Sequence, residues 1–156
     1  KMVRENRTRM DFYEQFLKMI EDYNTGRNID HYLEELIKFI EKLNREEKRA
    51  VAEELTEEEL TVFDLLTRPD MMLTREEEKQ VKRTARDLLK TLKTEKLVLD
   101  WRKHQQSRAQ VRVAIETVLD EGLPRTYTPE IYEQKCEAIY QHVYESYYSG
   151  EKSVYG

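Results

Sequence analysis

The sequence contains very little glycine and proline and only one cysteine. Its 156 residues include four glycines, three prolines and the single residue Cys136. Because few residues that break helices are present, helices joined by short loops are favoured. One cysteine cannot form a disulfide within the chain. We therefore expect a reducing, cytoplasmic setting, with Cys136 as a small core residue.

Long apolar runs are also absent. The sequence has no run of about 18 apolar residues that could cross a membrane. It also has no apolar segment of the kind found in signal peptides. We therefore expect no contact with a membrane. The chain starts at Lys1 rather than at methionine, and we expect it to be a piece of a longer protein.

The residues that are present predict an all-α fold. Apolar residues recur at helical spacing along the chain, which predicts seven helices and no convincing strand. Thr74 with Glu77 is typical of a capping box at the start of the fifth helix. Thr128 before Pro129 indicates the start of the seventh, and Gly122 is expected to form a left-handed cap after the sixth. The predicted fold is a single bundle of about seven helices without a significant sheet.

Charge is distributed unevenly along the chain. The net charge is −5, yet the segment from Lys79 to Arg112 carries eleven lysines and arginines against three acids. At 100° per residue, six of these cations fall within an arc of about 100° on one predicted helix. We call them the cationic face: Lys79, Lys82, Arg83, Arg86, Lys90 and Lys93. Three interpretations remain open, namely a solvated helix face, a contact with an acidic protein surface and a contact with DNA phosphates.

The stretch WRKHQQSRAQVR, residues 101–112, holds the only tryptophan. On a sixth helix that begins near or before this stretch, Trp101, His104 and Arg108 share one apolar side. An unpaired buried charge is strongly unfavourable, so we expect Arg108 to form an ion pair with an acid of another helix. His104 is expected to be a hydrogen-bonded core histidine. Trp101 and Arg108 are expected to anchor helix against helix.

Three separated runs resemble a known protein family. They are NREEKRAVAEELTEEELTVFDLLTRPD (Asn44–Asp70), LDWRKHQQSRAQVRVAIETVLDEGLP (Leu99–Pro124) and YEQKCEAIYQHVYESY (Tyr132–Tyr147). In this order they are similar to the C-terminal helical domain of type I restriction enzyme R subunits. The resemblance extends from about Ile29 to Ser149. Such R subunits are the ATP-driven translocase and endonuclease chains of restriction–modification complexes.

The resemblance implies how the chain is organised. Residues 1–27 are expected to hold a first helix that connects to an upstream motor region. Residues 28–150 are expected to form the C-terminal helical domain, and residues 151–156 a tail. No low-complexity linker or internal repeat divides the chain further.

The resemblance also implies an assembly role rather than catalysis. In the family, cleavage and translocation belong to other domains, so ATP and Mg²⁺ are expected in the parent subunit and no cofactor or metal in this chain. The sequence agrees, because it has no GxxxxGK(S/T) phosphate loop, no DEAD-like box and no nuclease motif. We expect no catalytic residue. The expected function is docking onto the methyltransferase and specificity subunits, and the alternative is contact between the cationic face and the DNA backbone.

Aromatic side chains are a second feature typical of an interface. Three tyrosines at helical spacing stand near the end of the chain, namely Tyr140, Tyr144 and Tyr148. Tyrosine and arginine contribute much of the binding energy of many interfaces. We therefore interpret these tyrosines as exposed anchors. The alternative is that they pack against neighbouring helices.

Overall fold

The computed structural model describes residue 6 and residues 9–26, 29–68, 71–149 and 152–155. In these residues the long elements are α-helices, which confirms the predicted all-α fold. They are α1 (Met10–Asn24), α2 (Ile29–Glu47), α3 (Arg49–Ala52), α4 (Glu57–Thr67), α5 (Arg75–Thr91), α6 (Gln105–Gly122) and α7 (Pro129–Ser146). A π-helical turn, Leu92–Lys96, and a 3₁₀ helix, Trp101–Lys103, lie between α5 and α6. None of the helices in the described part of the chain is long and apolar enough to cross a membrane.

Contacts within the chain divide it into two units, Lys1–Glu57 and Glu58–Gly156. The boundary predicted between residues 27 and 28 falls inside the first unit, and those two residues lie outside the described part of the chain. Within the first unit, α1 packs against α2 through facing aromatic rings, and the predicted domain bounds stay a prediction. The role of α1 as a connector to an upstream region stays a prediction.

Within the first unit, α1 and α2 form a helical hairpin. The ring of Phe16 stacks on that of Phe39 with centroids 6.2 Å apart, and the rings of Tyr23 and Tyr32 lie 4.8 Å apart. Gly26 follows α1 with a φ of 80°, a left-handed conformation that glycine adopts without strain. The first helix expected within residues 1–27 is thus present and ends before Gly26.

A buried arginine joins distant parts of the first unit. Arg9 is only 1% exposed. Its Nε donates to a carboxylate oxygen of Glu46 at 2.8 Å, and its Nη2 lies 3.1 Å from a carboxylate oxygen of Glu57. Although burial lowers the pKa of Arg9, the two carboxylates raise it more, so the guanidinium stays charged. No sequence pattern predicts this network. The chain has so many acids that its sequence alone does not identify which of them pair with Arg9.

The second unit packs α5, α6 and α7 around one apolar core. Trp101 belongs to this core and is fully buried, and its indole nitrogen donates to the backbone carbonyl of Tyr147 at 3.1 Å. The rings of Tyr140 and Tyr144 meet Trp101 edge-on, with centroids 6.5 and 5.9 Å away. These contacts hold the segment between α5 and α6 against the end of α7. The aliphatic part of the core includes Leu88, Leu92, Ile115, Leu119 and Ile139.

Two predicted helix starts are confirmed. At the start of α5, the hydroxyl of Thr74 accepts from the N–H of Glu77, and the carboxylate of Glu77 accepts from the N–H of Thr74. The same carboxylate accepts a hydrogen bond from Thr126, which is the largest cause of the lowered pKa of Glu77. Thr128 caps α7, and Pro129 occupies its first turn. These side chains satisfy N–H groups that have no partner within the helix.

The left-handed conformation predicted for Gly122 is wrong. Gly122 is the last residue of α6, and the chain leaves the helix through Leu123 in an extended conformation. The glycine instead lies against Thr84 of α5, where an added β-carbon would be 2.4 Å from the Thr84 hydroxyl oxygen. The Gly122 carbonyl accepts a hydrogen bond of 2.9 Å from Gln80. Close packing of α5 on α6 therefore requires glycine here.

The apolar side predicted for the sixth helix is wrong at its beginning, because the preceding segment is not α-helical. The π-turn closes with a hydrogen bond of 2.8 Å from the N–H of Leu97 to the carbonyl of Leu92. Asp100 then has a φ of 58°, and His104 has an extended backbone before α6 begins. Trp101 is buried and His104 is exposed, since the two do not share one helix. The interpretation of His104 as a core histidine is therefore wrong.

The predicted tail folds back onto the second unit over residues 152–155. Ser153 forms an isolated antiparallel bridge with Tyr147. The ring of Tyr155 lies 5.9 Å from that of Tyr147, and its hydroxyl donates to the hydroxyl of Thr61 at 3.1 Å. This short segment is therefore part of the fold of the second unit.

The buried network of the first unit is tested by Arg9→Gln. The free energy of unfolding should fall by about 2 kcal/mol, because the buried carboxylate of Glu46 loses one of its two cations, while Arg49 remains 3.0 Å away. Urea denaturation followed by circular dichroism measures the change. Arg45→Gln is the matched control, since Arg45 is exposed on α2, and it should cost less than about 0.5 kcal/mol. Equal stability of the two variants would contradict the network.

The packing of α5 on α6 is tested by Gly122→Ala. The added methyl group should lower the free energy of unfolding by about 1–3 kcal/mol, because a tight contact must open to admit it. Thr84→Ala removes the atoms that the methyl group meets, so the double variant should recover about half of the loss. Urea denaturation of the wild type, the two single variants and the double variant gives a double-mutant cycle. A loss that is the same with and without the threonine would rule out this contact.

Candidate interaction surface

The cationic face lies along α5 and the turn after it, but the structure divides it into two rows. Three of its members face α4, and we call them the inner row: Lys82, Arg86 and Lys93. The Arg86 guanidinium lies 3.6 Å from the carboxylate of Glu59, and the Lys93 ammonium lies 3.0 Å from that of Glu58. The Lys82 ammonium lies over a phenylalanine ring of α4, 5.7 Å from its centroid. Half of the cationic face is thus used within the second unit.

The other three members form the outer row: Lys79, Arg83 and Lys90. All three are exposed. Lys79 has Glu76 at 3.9 Å, near the limit of an ion pair. Among the described residues, no acid lies within ion-pairing distance of Arg83 or Lys90. At 1.5 Å per residue, this row extends for about 16 Å along α5.

A groove of about 770 Å³ runs beside the outer row, between α5 and α6. Lys79 and Arg83 line it together with Glu76, Asp87 and Glu121. Charges of both signs therefore surround the groove, and it has no single sign that would attract a small ion. The outer row is therefore the better candidate for binding, and it suits an extended surface of opposite charge. The groove is a poor candidate for binding a small ligand.

Arg102 and two tyrosines form a second surface cluster on this unit. The guanidinium carbon of Arg102 lies 4.8 Å from the ring centroid of Tyr148 and 5.7 Å from that of Tyr144. Tyr144 and Tyr148 are 38% and 41% exposed, which agrees with their predicted exposure, and their role at an interface stays a prediction. Tyr140 is buried and takes the packing role that was the alternative. The reason is that its ring contacts Trp101, as described above.

Arg108 does not form the predicted ion pair. Its Nη1 donates to the backbone carbonyl of Arg102 at 2.6 Å. In the part of the chain that the structure describes, no acid lies within ion-pairing distance of Arg108. The 3₁₀ helix before α6 places this carbonyl closer than any carboxylate. Arg108 is half-buried and holds the turn that precedes its own helix.

The single cysteine and one of the histidines are buried in α7. Cys136 is buried, which confirms its prediction as a core residue, and burial raises the pKa of its thiol. His142 is also buried, and one of its ring nitrogens lies 3.2 Å from the hydroxyl of Ser146. Over the described ranges, no group of three or more His, Cys, Asp or Glu side chains is placed to hold a metal ion.

Comparison with known protein families identifies the chain. A family model described as "Type I restriction enzyme HindI endonuclease subunit-like, C-terminal" matches residues 1–148. The match covers all seven α-helices. The chain therefore belongs to this family, and the resemblance seen in its sequence is confirmed. No curated protein and no solved structure matches the chain.

The division of the cationic face is tested by reversing the charges of each row. The inner variant is Lys82→Glu, Arg86→Glu and Lys93→Glu, and the outer variant is Lys79→Glu, Arg83→Glu and Lys90→Glu. The inner variant should lower the free energy of unfolding by about 2 kcal/mol, because new carboxylates would face Glu58 and Glu59. The outer variant should lower it by less than about 1 kcal/mol. Thermal or urea denaturation measures both, and a reversed order would show that the rows are assigned incorrectly.

Proposed function

We propose that the chain is a non-catalytic docking domain of a type I restriction enzyme R subunit. It joins that subunit to the methyltransferase and specificity subunits of the complex. The observation that supports this proposal best is the outer row of the cationic face. Lys79, Arg83 and Lys90 are exposed in a line on one helix. Such a line is complementary to an acidic surface on a partner protein, and charge complementarity guides association and fixes orientation.

Helix stability does not explain the outer row. Lys79 and Arg83 are four residues apart, and like charges at this spacing destabilise a helix by a few tenths of a kcal/mol. The inner row offsets such repulsion through its contacts with α4, as Arg86 does with Glu59. Within the described ranges, the outer row has only the long ion contact between Lys79 and Glu76. A negatively charged partner would supply the missing compensation.

In this proposal, DNA cleavage and ATP hydrolysis take place in other parts of the R subunit. The ATP and Mg²⁺ that these reactions use are bound there as well. The buried state of Cys136 and His142 supports this, since a catalytic nucleophile or base must reach its substrate, whereas the exposed His31 and His104 add no such support. A docking domain has no such requirement, and its buried polar groups serve packing.

The second candidate function is contact between the outer row and the DNA backbone. A line of three exposed cations about 16 Å long favours it, because phosphates attract such a line whatever the base sequence. The net charge of −5 opposes strong binding by the chain alone, since its acids repel the same polyanion. Docking on protein is therefore the function that we prefer.

Capture of the methyltransferase and specificity subunits by the chain tests the docking proposal. The outer variant should bind about tenfold more weakly, because attraction at the interface becomes repulsion. A control variant makes the same change of net charge on exposed cations of the first unit: Lys18→Glu, Lys38→Glu and Arg45→Glu. The control should bind as the wild type does. If all three proteins are captured equally, the outer row is not part of the interface.

Binding of duplex DNA as a function of salt separates the two candidate functions. Contact with three phosphates predicts a slope of about −2.7 for the logarithm of the binding constant against that of the salt concentration. The outer variant should then lose binding, and the control variant should keep it. Docking on protein predicts no measurable binding of DNA by the wild-type chain at about 50 mM salt.

A further inference from the structure

The first unit presents an apolar face that its own helices leave uncovered. Besides Phe16 and Tyr23, whose rings contact the other helix of the hairpin, seven large apolar side chains of α1 and α2 are between 37% and 57% exposed. We call them the hairpin face: Met10, Tyr13, Leu17, Ile20, Leu33, Ile37 and Ile40. Soluble proteins rarely expose large contiguous apolar patches, and such patches mark interaction sites.

The exposed residues of the two helices lie on the same side of the hairpin. The contact of Phe16 with Phe39 fixes which sides of α1 and α2 face each other. On each helix, the exposed residues are rotated by roughly 100° around the helix axis from the side that faces the other helix. The direction of this rotation, viewed along the chain, is the same on both helices. Because the two helices are antiparallel, equal rotations lead to the same side of the hairpin. The opposite side is polar, since Lys42 of α2 donates to Gln15 of α1 there.

Acidic residues border the hairpin face along both outer edges. Glu14 and Glu21 are two turns apart on α1, and Glu34 and Glu41 are two turns apart on α2, so each pair follows one edge. All four are exposed. The lysines of these helices instead line a groove on the opposite side of the hairpin. The hairpin face is thus apolar along its middle and negative along both edges.

We propose that the hairpin face binds an amphipathic helix of a partner protein, whose apolar side is flanked by lysine or arginine. Such a helix would lie along the groove between α1 and α2 and complete a bundle of three helices. Its cations would then meet the two acidic edges. This inference goes beyond the proposed function, because it concerns the other unit and requires a basic partner, whereas the outer row requires an acidic one.

A second copy of the chain fits the hairpin face less well. In a symmetric dimer the same surface of both copies meets. The acidic edges of one hairpin would then lie beside those of the other, and their like charges would repel. This repulsion opposes the gain from burying the apolar side chains. With a basic helix, the apolar and the charged contacts are both favourable.

Synthetic peptides test the proposal on the full chain. Two helical peptides of about 18 residues, roughly 27 Å long, share one leucine side and differ only at the flanking positions. These positions are lysine in one peptide and glutamate in the other. At concentrations where the peptides are monomeric, fluorescence anisotropy at low salt should show about tenfold tighter binding of the lysine peptide. Equal binding of the two peptides would overturn the proposal.

Variants of the chain locate the binding. Leu17→Gln with Ile37→Gln should weaken binding of the lysine peptide about tenfold, because both side chains lie in the middle of the face. Leu99→Gln with Val113→Gln is the matched control, since these side chains are 74% and 58% exposed in the second unit. The control should bind as the wild type does. Circular dichroism checks that both variants are folded, and unchanged binding by the first variant would refute the location.

Charge inversion tests the edges without altering the apolar side chains. The variant carries Glu14→Lys, Glu21→Lys, Glu34→Lys and Glu41→Lys. It should bind the glutamate peptide more tightly than the lysine peptide, and a retained preference for lysine would overturn the proposal. Sedimentation of the wild-type chain tests the alternative occupant. A dimer that is lost in the double glutamine variant would assign the face to self-association and would also overturn it.

Discussion

The organisation of the second unit depends on the burial of one indole ring. Trp101 lies in the core, and its N–H group reaches the carbonyl of Tyr147, so the segment between α5 and α6 is held against the end of α7. The following residue, Arg102, is thereby placed over the exposed rings of Tyr144 and Tyr148. A core contact and a surface cluster are in this way coupled through two consecutive residues. Loosening the first would release the second.

The charges of α5 show how one helix can serve both folding and binding. Lys93 is typical of the inner row, since it meets the carboxylate of Glu58 and helps to join α4 to α5. Lys90 is typical of the outer row and points away from the rest of the unit. A rotation of a few tens of degrees around the helix separates the two roles. The number of cations in the sequence therefore overstates the cationic surface that is available to a partner. The size of that surface follows only from the contacts that each side chain makes in the structure.

Local patterns predicted much of the fold, whereas contacts between distant residues were not predictable. The capping box at Thr74 was predictable because its partners are three residues apart on one helix. The conformation of Gly122 was not, since it depends on the approach of Thr84 from another helix. The partner of Arg108 is nearby in sequence, but the 3₁₀ helix that brings the Arg102 carbonyl close was not predicted. The six cations of the candidate site were found from spacing alone. Their division into two rows could be recognised only from the packing of α5 on α4. The same holds for the apolar residues of α1 and α2 that stay exposed.

The single cysteine and the single tryptophan of the chain both belong to the second unit. Cys136 is only 7% exposed, and burial raises the pKa of its thiol, so an alkylating reagent reaches it when that unit opens. Indole fluorescence and thiol labelling consequently report on the second unit alone, while far-ultraviolet circular dichroism reports on both units. Comparing the signals resolves the opening of the two units without introducing any residue that the natural sequence lacks.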